Sequence, residues 1–195
     1  MEFASLDLDK SYTYADYLKW TFKERVELIK GKLFKMSPAP NWMHQEISSI
    51  IHGELYIHLK GKKCKVYSAP FDVRLPGKTR DDKDITTVVQ PDICVICDES
   101  KLDFKGCIGA PDIVVEILSP SNNVTELKNK YNVYEQAGVM EYWVVSPQDK
   151  TFLVYTLVNG SYTPSRLMVA GDTVHSSVLS GFSLDLTSLF NDAKI

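Results

Sequence analysis

A single glutamate interrupts one of the most apolar runs of the chain, and this run constrains the fold more than any other feature. Residues 113–115 are Ile-Val-Val, Glu116 follows them, and Ile117 and Leu118 continue the run. An apolar run without polar alternation is typical of a strand that is covered on both faces. A carboxylate withdrawn from water is costly unless a partner compensates its charge. The sequence therefore predicts a layered fold and a partner for Glu116.

The segments that follow this run predict a β-α-β unit. Residues 124–136 have helical character, Gly138 closes them, and residues 141–145 (EYWVV) begin another strand. A strand, a helix and a strand of these lengths normally pack with the two strands parallel and adjacent. We therefore expect the strand that carries Glu116 to lie beside the strand that carries Trp143.

The remaining helices are predicted from the spacing of apolar residues. This spacing indicates an N-terminal helix or pair of helices within residues 14–29, with Gly31 as a stop signal, and a long amphipathic helix over residues 43–59. A short helix is expected to close the chain near residues 186–190. With the strands below, these helices place the chain in the α/β class, as a mixed α+β fold with helices that flank a central mixed β-sheet.

The strands are predicted from segments rich in Val, Ile and aromatic residues. They lie at residues 32–36, 65–75, 85–98, 113–118 and 141–145, with an exposed hairpin tip at 77–84 and a C-terminal β-hairpin around Asn159-Gly160 within 151–163. No internal repeat and no linker divides the sequence. We expect one domain over residues 1–195.

Composition and charge limit the classes of protein that fit the chain. Its 195 residues are 44% hydrophobic, which supports a sizeable core. The start, MEFASLDLDK, has acidic residues where a signal peptide has basic ones, and no apolar run reaches the roughly 18 residues of a membrane span. We therefore expect a cytoplasmic protein that does not enter a membrane.

The net charge of −3 disfavours a nonspecific nucleic-acid coat, but the charge is unevenly distributed. Residues 1–65 carry eleven Lys or Arg against eight Asp or Glu, and the remainder carries eleven against seventeen. The basic segment 60–65 is suited to phosphate groups, and a solvated helix end explains it equally well.

Four cysteines, at positions 64, 94, 97 and 107, raise the question of a zinc site or a disulfide. Cys94 and Cys97 match CxxC, but they lie in a predicted strand, where residues three apart point to opposite faces and cannot share one tetrahedral metal ion. No second CxxC or HxxxH supplies the other ligands. We interpret all four residues as buried free thiols.

Asp92 is the first candidate partner for the site around Glu116. It follows Pro91 at the start of a predicted strand, and Glu116 lies in the next strand, 24 residues on. If the two strands are neighbours whose starts meet, both carboxylates converge. Two adjacent carboxylates repel each other unless one holds a proton or a divalent cation lies between them. Hard oxygen ligands of this kind favour Mg²⁺.

Lys130 is the second candidate partner. It follows Glu126 by four residues, so both lie on one helical face, whereas Lys128 points away from that face. An inward Lys130 can orient an attacking water and stabilise developing negative charge. An exposed ion pair between Glu126 and Lys130 explains the same spacing equally well.

A family resemblance joins these pieces. In order along the chain occur VELIKGKL (26–33), MSPAPNWMHQEI (36–47), QPDICVI, GAPDIVVEILSPS, AGVMEYWVVSP and SGFSLDL. Over about residues 12–190 this ordered set resembles the restriction endonuclease-like family known as Uma-two, which is assigned to the PD-(D/E)xK nuclease superfamily. The resemblance implies a restriction endonuclease-like core, formed by a helix, three strands, a crossover helix and a further strand.

The resemblance also implies catalytic roles. Asp92 matches the acidic residue of the PD element, and Glu116 matches the acidic residue of the next strand. Leu118 stands where the superfamily usually has lysine, so the string motif is broken. In this family that lysine is thought to have moved to the following helix, where Lys130 matches it. The implied catalytic set is therefore Asp92, Glu116 and Lys130.

The metal site implied by the resemblance uses Asp92, Glu116 and the main-chain carbonyl of Ile117 as ligands for Mg²⁺, with Mn²⁺ as an alternative. Four further residues are expected at the edge of the site, namely His44, Glu27, Asp112 and Tyr134. His44 matches a family histidine at the start of the long helix, and Glu27 matches the glutamate of the family's ELI-G element. A capping or structural role explains His44 and Glu27 equally well.

These expectations predict a Mg²⁺-dependent endonuclease that hydrolyses phosphodiester bonds in DNA, with a homodimer as the form suited to double-strand cutting. Two alternatives stay open. One is a nuclease-shaped module that binds nucleic acid or a protein partner without cleavage, which the sequence pI near 5.8 favours. The other is a purely structural ion pair between Glu116 and Lys130.

Overall fold

The computed structural model describes residue 3 and residues 6–36, 41–119 and 124–193, without the side chains of Val124 and Glu126. The predicted pairing of Glu126 with Lys130 therefore lies outside the described residues. The helices in these ranges are α1 (Tyr14–Tyr17), α2 (Trp42–Leu59), α3 (Val124–Ala137) and α4 (Leu186–Asp192), with a 3₁₀ turn at Glu99–Lys101.

The strands of the described ranges fall in three runs that these helices separate. They are β1 (Val26–Ile29), β2 (Lys32–Lys35), β3 (Lys65–Ser68), β4 (Val73–Arg74), β5 (Val88–Val89), β6 (Ile93–Ile96), β7 (Leu102–Asp103), β8 (Gly106–Ile108), β9 (Ile113–Ile117), β10 (Glu141–Ser146), β11 (Thr151–Val158), β12 (Ser161–Pro164), β13 (Thr173–His175) and β14 (Ser183–Asp185).

Two six-stranded sheets form the framework. The central sheet has the order β12-β11-β10-β9-β6-β3, and only β9 and β10 run parallel within it. The second sheet has the order β2-β1-β5-β4-β8-β7, with β4 and β8 parallel. The predicted mixed α+β class, the β-α-β unit and the hairpin at Asn159-Gly160 are confirmed. The second sheet was not predicted.

Strand β9 sends its side chains into two cores. Ile113, Val115 and Ile117 pack in the core that contains the apolar face of α2, whereas Val114 packs in the core that contains Tyr134 of α3. All five residues of the strand are buried. Because side chains alternate along a strand, Glu116 shares the face of Val114 and points toward α3.

The helical prediction for residues 26–29 is wrong. These residues form β1, which pairs with β2 through a two-residue turn at Lys30-Gly31, where φ is 52° and 79°. Left-handed φ at both central positions is the geometry of a tight hairpin turn, so Gly31 permits a hairpin and does not end a helix. The predicted N-terminal helix is limited to Tyr14–Tyr17.

Two predicted strands are each divided by a proline. Residues 65–75 form β3 and β4, which flank Pro70, and residues 85–98 contain β5 and β6, which flank Pro91. In both cases one part belongs to the central sheet and the other to the second sheet. Proline has no N–H for a sheet ladder, and here the chain passes from one sheet to the other at these positions.

The prediction of four free thiols is wrong for two of them, because Cys64 and Cys97 form a disulfide. Lys65 pairs with Ile96 in the antiparallel ladder of β3 and β6, so Cys64 and Cys97 lie opposite each other one position further out. Cys94 and Cys107 are free and buried, as predicted. Within the ranges described above, no helix is long and apolar enough to cross a membrane.

We predict that Gly106→Ala destabilises the fold, whereas Gly77→Ala does not. Gly106 has φ of 119°, and a Cβ at this residue would lie 2.4 Å from the carbonyl oxygen of Asp72, whereas a Cβ at Gly77 would meet no atom within 4 Å. Urea unfolding should show a loss of about 1–3 kcal/mol for Gly106→Ala. Equal stability of the two variants would contradict this account of the β8 turn.

Candidate active site

The pairing of β6 with β9 brings Asp92 and Glu116 together. Ile93 lies opposite Val115 in this antiparallel pair, so the next position outward places Asp92 opposite Glu116. The main-chain N–H of Ile117 donates a hydrogen bond of 2.7 Å to Oδ2 of Asp92. The expected adjacency of the strands is confirmed. Their starts do not meet, because the start of β6 lies beside the end of β9.

Lys130 of α3 compensates the charge of Glu116. Its Nζ lies 3.0 and 3.1 Å from the two carboxylate oxygens of Glu116 and 3.2 Å from Oε1 of Glu27. Only 4% of Lys130 is exposed. The ammonium group therefore donates to two buried carboxylates and does not face bulk solvent.

Tyr134 completes the helical contribution to the site. It follows Lys130 by four residues, so both side chains lie on the same face of α3. The Tyr134 hydroxyl donates a hydrogen bond of 2.7 Å to Oε1 of Glu116. Burial, reinforced by the nearby carboxylate of Glu116, raises the pKa of Tyr134 well above its ordinary value. The hydroxyl therefore stays protonated and remains a donor.

Glu27 reaches the site from the second sheet. It lies on β1 and is 2% exposed. Its Oε1 accepts a hydrogen bond of 2.8 Å from the main-chain N–H of Gln90, in addition to its contact with Lys130. One ammonium group therefore connects Glu27 of the second sheet with Glu116 of the central sheet.

His44 lies in the first turn of α2, beside Asp92. Its Nε2 is 3.2 Å from Oδ2 of Asp92, and its main-chain N–H donates to the Asn41 side chain that caps the helix. Its Nδ1 is buried and has no hydrogen-bond partner within the ranges that the structure describes. His44 thus has both a helix-start position and a direct contact with a predicted catalytic carboxylate.

Negative charge exceeds positive charge in this cluster. Burial is the largest influence on Glu116 and raises its pKa to about 8; Lys130 opposes this rise, whereas Asp92 and Glu27 add to it. Burial disfavours the charged form of Lys130, but the carboxylates of Glu116 and Glu27 outweigh it and raise the pKa of the ammonium group. Lys130 therefore stays charged, and Glu116 competes for a proton.

Two predicted residues have contacts outside the ion cluster. Asp112 lies at the opposite end of β9, four residues or about 13 Å from Glu116, and accepts a hydrogen bond of 2.7 Å from the N–H of Cys97. Asp112 therefore connects the end of β6 to the start of β9, and it lies away from Lys130. The side chain of Ile117 lies in the core, and the role of its carbonyl stays a prediction.

The side chains of this cluster meet some of the requirements of a site for a hard divalent cation. Among the residues that the structure describes, no group of three or more His, Cys, Asp or Glu side chains is arranged to hold a metal ion. Asp92 and Glu116 nevertheless offer carboxylate oxygens from facing strand positions, in a cluster with surplus negative charge. Such oxygen ligands suit Mg²⁺, which normally retains several waters and needs few protein ligands.

A polar cleft beside Asp92 was not anticipated from the sequence. Its volume is about 380 Å³. One side of α2 lines it, with the residues Gln45, Ser48, Ser49 and His52. The apolar residues Ile47, Ile51 and Leu55 lie on the buried side of the same helix. The polar residues also follow helical spacing, which is the signal in the sequence that would have revealed this face.

Asp92 and Glu116 face each other across β6 and β9, and Lys130 of α3 contacts Glu116 within the β-α-β unit. A family comparison states the class of protein to which this arrangement belongs. The chain belongs to the Uma2 family: the profile described as "Putative restriction endonuclease" matches residues 14–187.

Two comparisons with individual proteins accompany this family match. The chain is similar to the uncharacterized protein slr1290 of Synechocystis sp., with 25% identity over 134 residues, which cover 67% of this chain and 66% of that relative. It thus spans just under two thirds of the relative's length. A crystal structure from Anabaena variabilis, described as a "putative nuclease belonging to DUF820", has the same fold, with a TM-score of 0.73 and 21% identity over 93% of this chain and 99% of that one.

We predict that Glu116→Gln changes how stability depends on pH. Because the pKa of Glu116 rises from 4.5 in its ordinary state to about 8 in the fold, the folded protein binds a proton that the unfolded chain releases between these values. The contribution of Glu116 to the free energy of unfolding is fully present below pH 4.5 and is lost as the pH rises through about 8.

The measurement is urea unfolding of both proteins in EDTA at several pH values from 5 to 8. The stability of Glu116→Gln relative to the unaltered protein should increase with pH, by at most about 1.4 kcal/mol per pH unit. Groups that do not interact with Glu116 cancel in this difference. A difference that is constant over the range, or that falls, would contradict the raised pKa.

Proposed function

We propose that this protein is a Mg²⁺-dependent endonuclease that hydrolyses phosphodiester bonds in DNA. The observation that carries the proposal is the meeting of Asp92, Glu116 and Lys130 from two strands and a helix. The surplus of negative charge in this cluster favours the binding of a cation. The match to a family described as restriction endonucleases supports the same reaction class.

In this proposal Asp92 and Glu116 would hold the cation, with the carbonyl of Ile117 as a further ligand and Mn²⁺ as a substitute for Mg²⁺. A bound divalent cation supplies charge stabilisation at the phosphoryl oxygens and lowers the pKa of a coordinated water. The hydrogen bond from the Ile117 N–H and the contact with His44 fix one oxygen of Asp92. These contacts orient the Asp92 carboxylate before any ligand arrives.

Lys130 contributes a permanent positive charge. Its pKa is raised, so it neither donates its proton nor acts as a base at neutral pH. Its proposed role is to orient Glu116 and the attacking water and to stabilise negative charge that develops on the phosphate. Glu27 and Tyr134 hold the ammonium and carboxylate groups in place through contacts of 3.2 and 2.7 Å.

Double-strand cutting would require two such sites on the two DNA strands, and a twofold homodimer meets this requirement.

A second candidate function is a module that binds nucleic acid or a protein partner without cleavage. The absence of a three-side-chain metal cluster from the described ranges favours this candidate, as does the engagement of both Glu116 oxygens by Lys130.

We predict that cleavage of plasmid DNA requires Mg²⁺ and both Asp92 and Lys130. Asp92→Asn and Lys130→Met should each lower the rate by at least about 100-fold, because the first removes a proposed ligand of the cation and the second removes a proposed positive charge near the reacting phosphate. Asp112→Asn is the matched control, since Asp112 also follows a proline at the start of a strand yet contacts Cys97 instead of the cluster. This control should cut at nearly the unaltered rate.

Circular dichroism should establish that each variant is folded before its rate is compared. Lys130→Met leaves buried carboxylates without their cation and can cost about 3–5 kcal/mol, so Asp92→Asn, whose side chain is 21% exposed, is the safer variant. Magnesium-independent cutting, or equal rates for all folded variants, would refute the assignment.

We predict further that Mn²⁺ binds with a stoichiometry of at least one per chain and that Glu116→Gln abolishes this binding. Isothermal titration calorimetry measures both quantities, and it does not depend on identifying the substrate. Binding should strengthen as the pH rises toward 8, because the cation replaces a proton on Glu116. If the unaltered protein binds no Mn²⁺ at pH 8, the module that binds without cleavage becomes the better proposal.

A further inference from the structure

The cleft beside Asp92 has the character of a phosphate-binding surface. The side of α2 that lines it presents amide, hydroxyl and imidazole groups from Gln45, Ser49 and His52. Asp92 is its one acidic lining residue within the described ranges, and Arg25 adds a guanidinium group. Hydrogen-bond donors and a cation with almost no opposing charge match the sugar-phosphate backbone of a nucleic acid.

Arg25 is available for such a contact. It is exposed and donates a hydrogen bond of 2.7 Å to the side chain of Gln90, and it has no ion-pair partner among the residues that the structure describes. A guanidinium group held by a neutral amide keeps its full charge toward solvent. Arg25 can therefore bind a phosphate without first breaking a salt bridge.

A second cleft adjoins the first. Its volume is about 440 Å³, and Pro70 lines both clefts. Gln90, which binds Arg25 of the first cleft, lines the second. The two clefts therefore adjoin at the turn between β3 and β4, and we call the pair of clefts the Pro70 groove. Asp92 lies in the first of these two clefts.

The carboxylates of the second cleft are already occupied by the protein's own donors. Asp72 accepts hydrogen bonds from the Tyr14 and Tyr17 hydroxyls and from the Gln90 amide. Asp103 forms an ion pair with the buried Arg74. This half of the groove therefore presents aromatic side chains beside carboxylates that are already paired, and it differs in chemistry from the cleft beside Asp92.

Phe104 is the prominent aromatic residue of this half. It occupies the two-residue turn between β7 and β8, lines the second cleft, and is fully exposed. Phe71 lines the same cleft and stacks on Tyr67 with ring centroids 4.6 Å apart. A phenyl ring at the tip of a tight hairpin contributes little to the core, and it is well placed to stack on a flat ligand.

We propose that the Pro70 groove binds a nucleic-acid strand with unpaired bases, whose backbone lies against Arg25 and α2 while a base stacks on Phe104. This inference deepens the proposed nuclease function and rests on it for the reaction at Asp92. Stacking on an aromatic side chain requires an accessible base face, which a regular duplex does not offer. The substrate class is therefore DNA with a single-stranded region, such as a flap, a gap, a branch or the unpaired stretches of a supercoiled plasmid.

The test measures the affinity of fluorescently labelled oligonucleotides by anisotropy in EDTA. All proteins carry Asp92→Asn, so that the strand is not cut. A 12-nucleotide single strand and the blunt duplex of the same sequence are the two probes. The single strand should bind more tightly than the duplex.

Phe104→Ala should weaken binding of the single strand roughly 5- to 150-fold and leave the duplex affinity almost unchanged, whereas Phe104→Trp should retain the affinity. Leu167→Ala is the matched control, because Leu167 is an exposed apolar residue that lines neither cleft. Arg25→Ala should reduce the slope of log affinity against log salt by about 1, and Phe104→Ala should leave that slope unchanged.

Each outcome separates this inference from the nuclease proposal. Equal single-strand affinities for Phe104→Ala and Leu167→Ala, tighter binding of the duplex, or no binding of either probe would overturn the inference, and Mg²⁺-dependent plasmid cleavage would still stand by its own assay. Phe104-dependent binding in a protein that cuts nothing would uphold the groove and refute the nuclease.

Discussion

The contact of one buried ammonium group with two buried carboxylates is the interaction on which the rest of the structure depends. Lys130 lies within 3.2 Å of both Glu116 and Glu27, and each of the three residues is less than a tenth exposed. Removal of the Lys130 charge would leave both carboxylates without compensation in a medium that solvates them poorly. The same contact holds α3, the central sheet and the second sheet in a fixed relation.

This contact also explains why the molecule needs two sheets. Glu116 comes from the central sheet, whereas Glu27 and the N–H of Gln90 that binds it come from the segments of the second. Where the chain crosses between the sheets at Pro70 and Pro91, it leaves the groove beside Asp92. The framework that compensates the buried charge is therefore also the framework that opens the site to a ligand.

The site combines features of a structural ion pair with features of a cation site. Lys130 and Tyr134 satisfy Glu116 well enough for the fold, yet the carboxylates outnumber the cation, and burial raises the pKa of Glu116 to about 8. Asp92 adds a third carboxylate to the cluster, and its own contacts are with the Ile117 N–H and the His44 ring. An excess of carboxylates over cations at a cleft favours the binding of a cation, and this feature supports the proposed metal-dependent activity.

The sequence by itself determined the elements with strong local periodicity, such as α2, α3 and the β9-α3-β10 unit, and it singled out Glu116 because a charge in an apolar run demands a partner. Only the tertiary structure decided which partners meet. The strand at residues 26–29, the disulfide between Cys64 and Cys97, and the contact of Glu27 with Lys130 depend on the register and packing of segments distant in the chain. Local patterns report which faces are apolar, whereas long-range pairing depends on contacts that no single segment encodes.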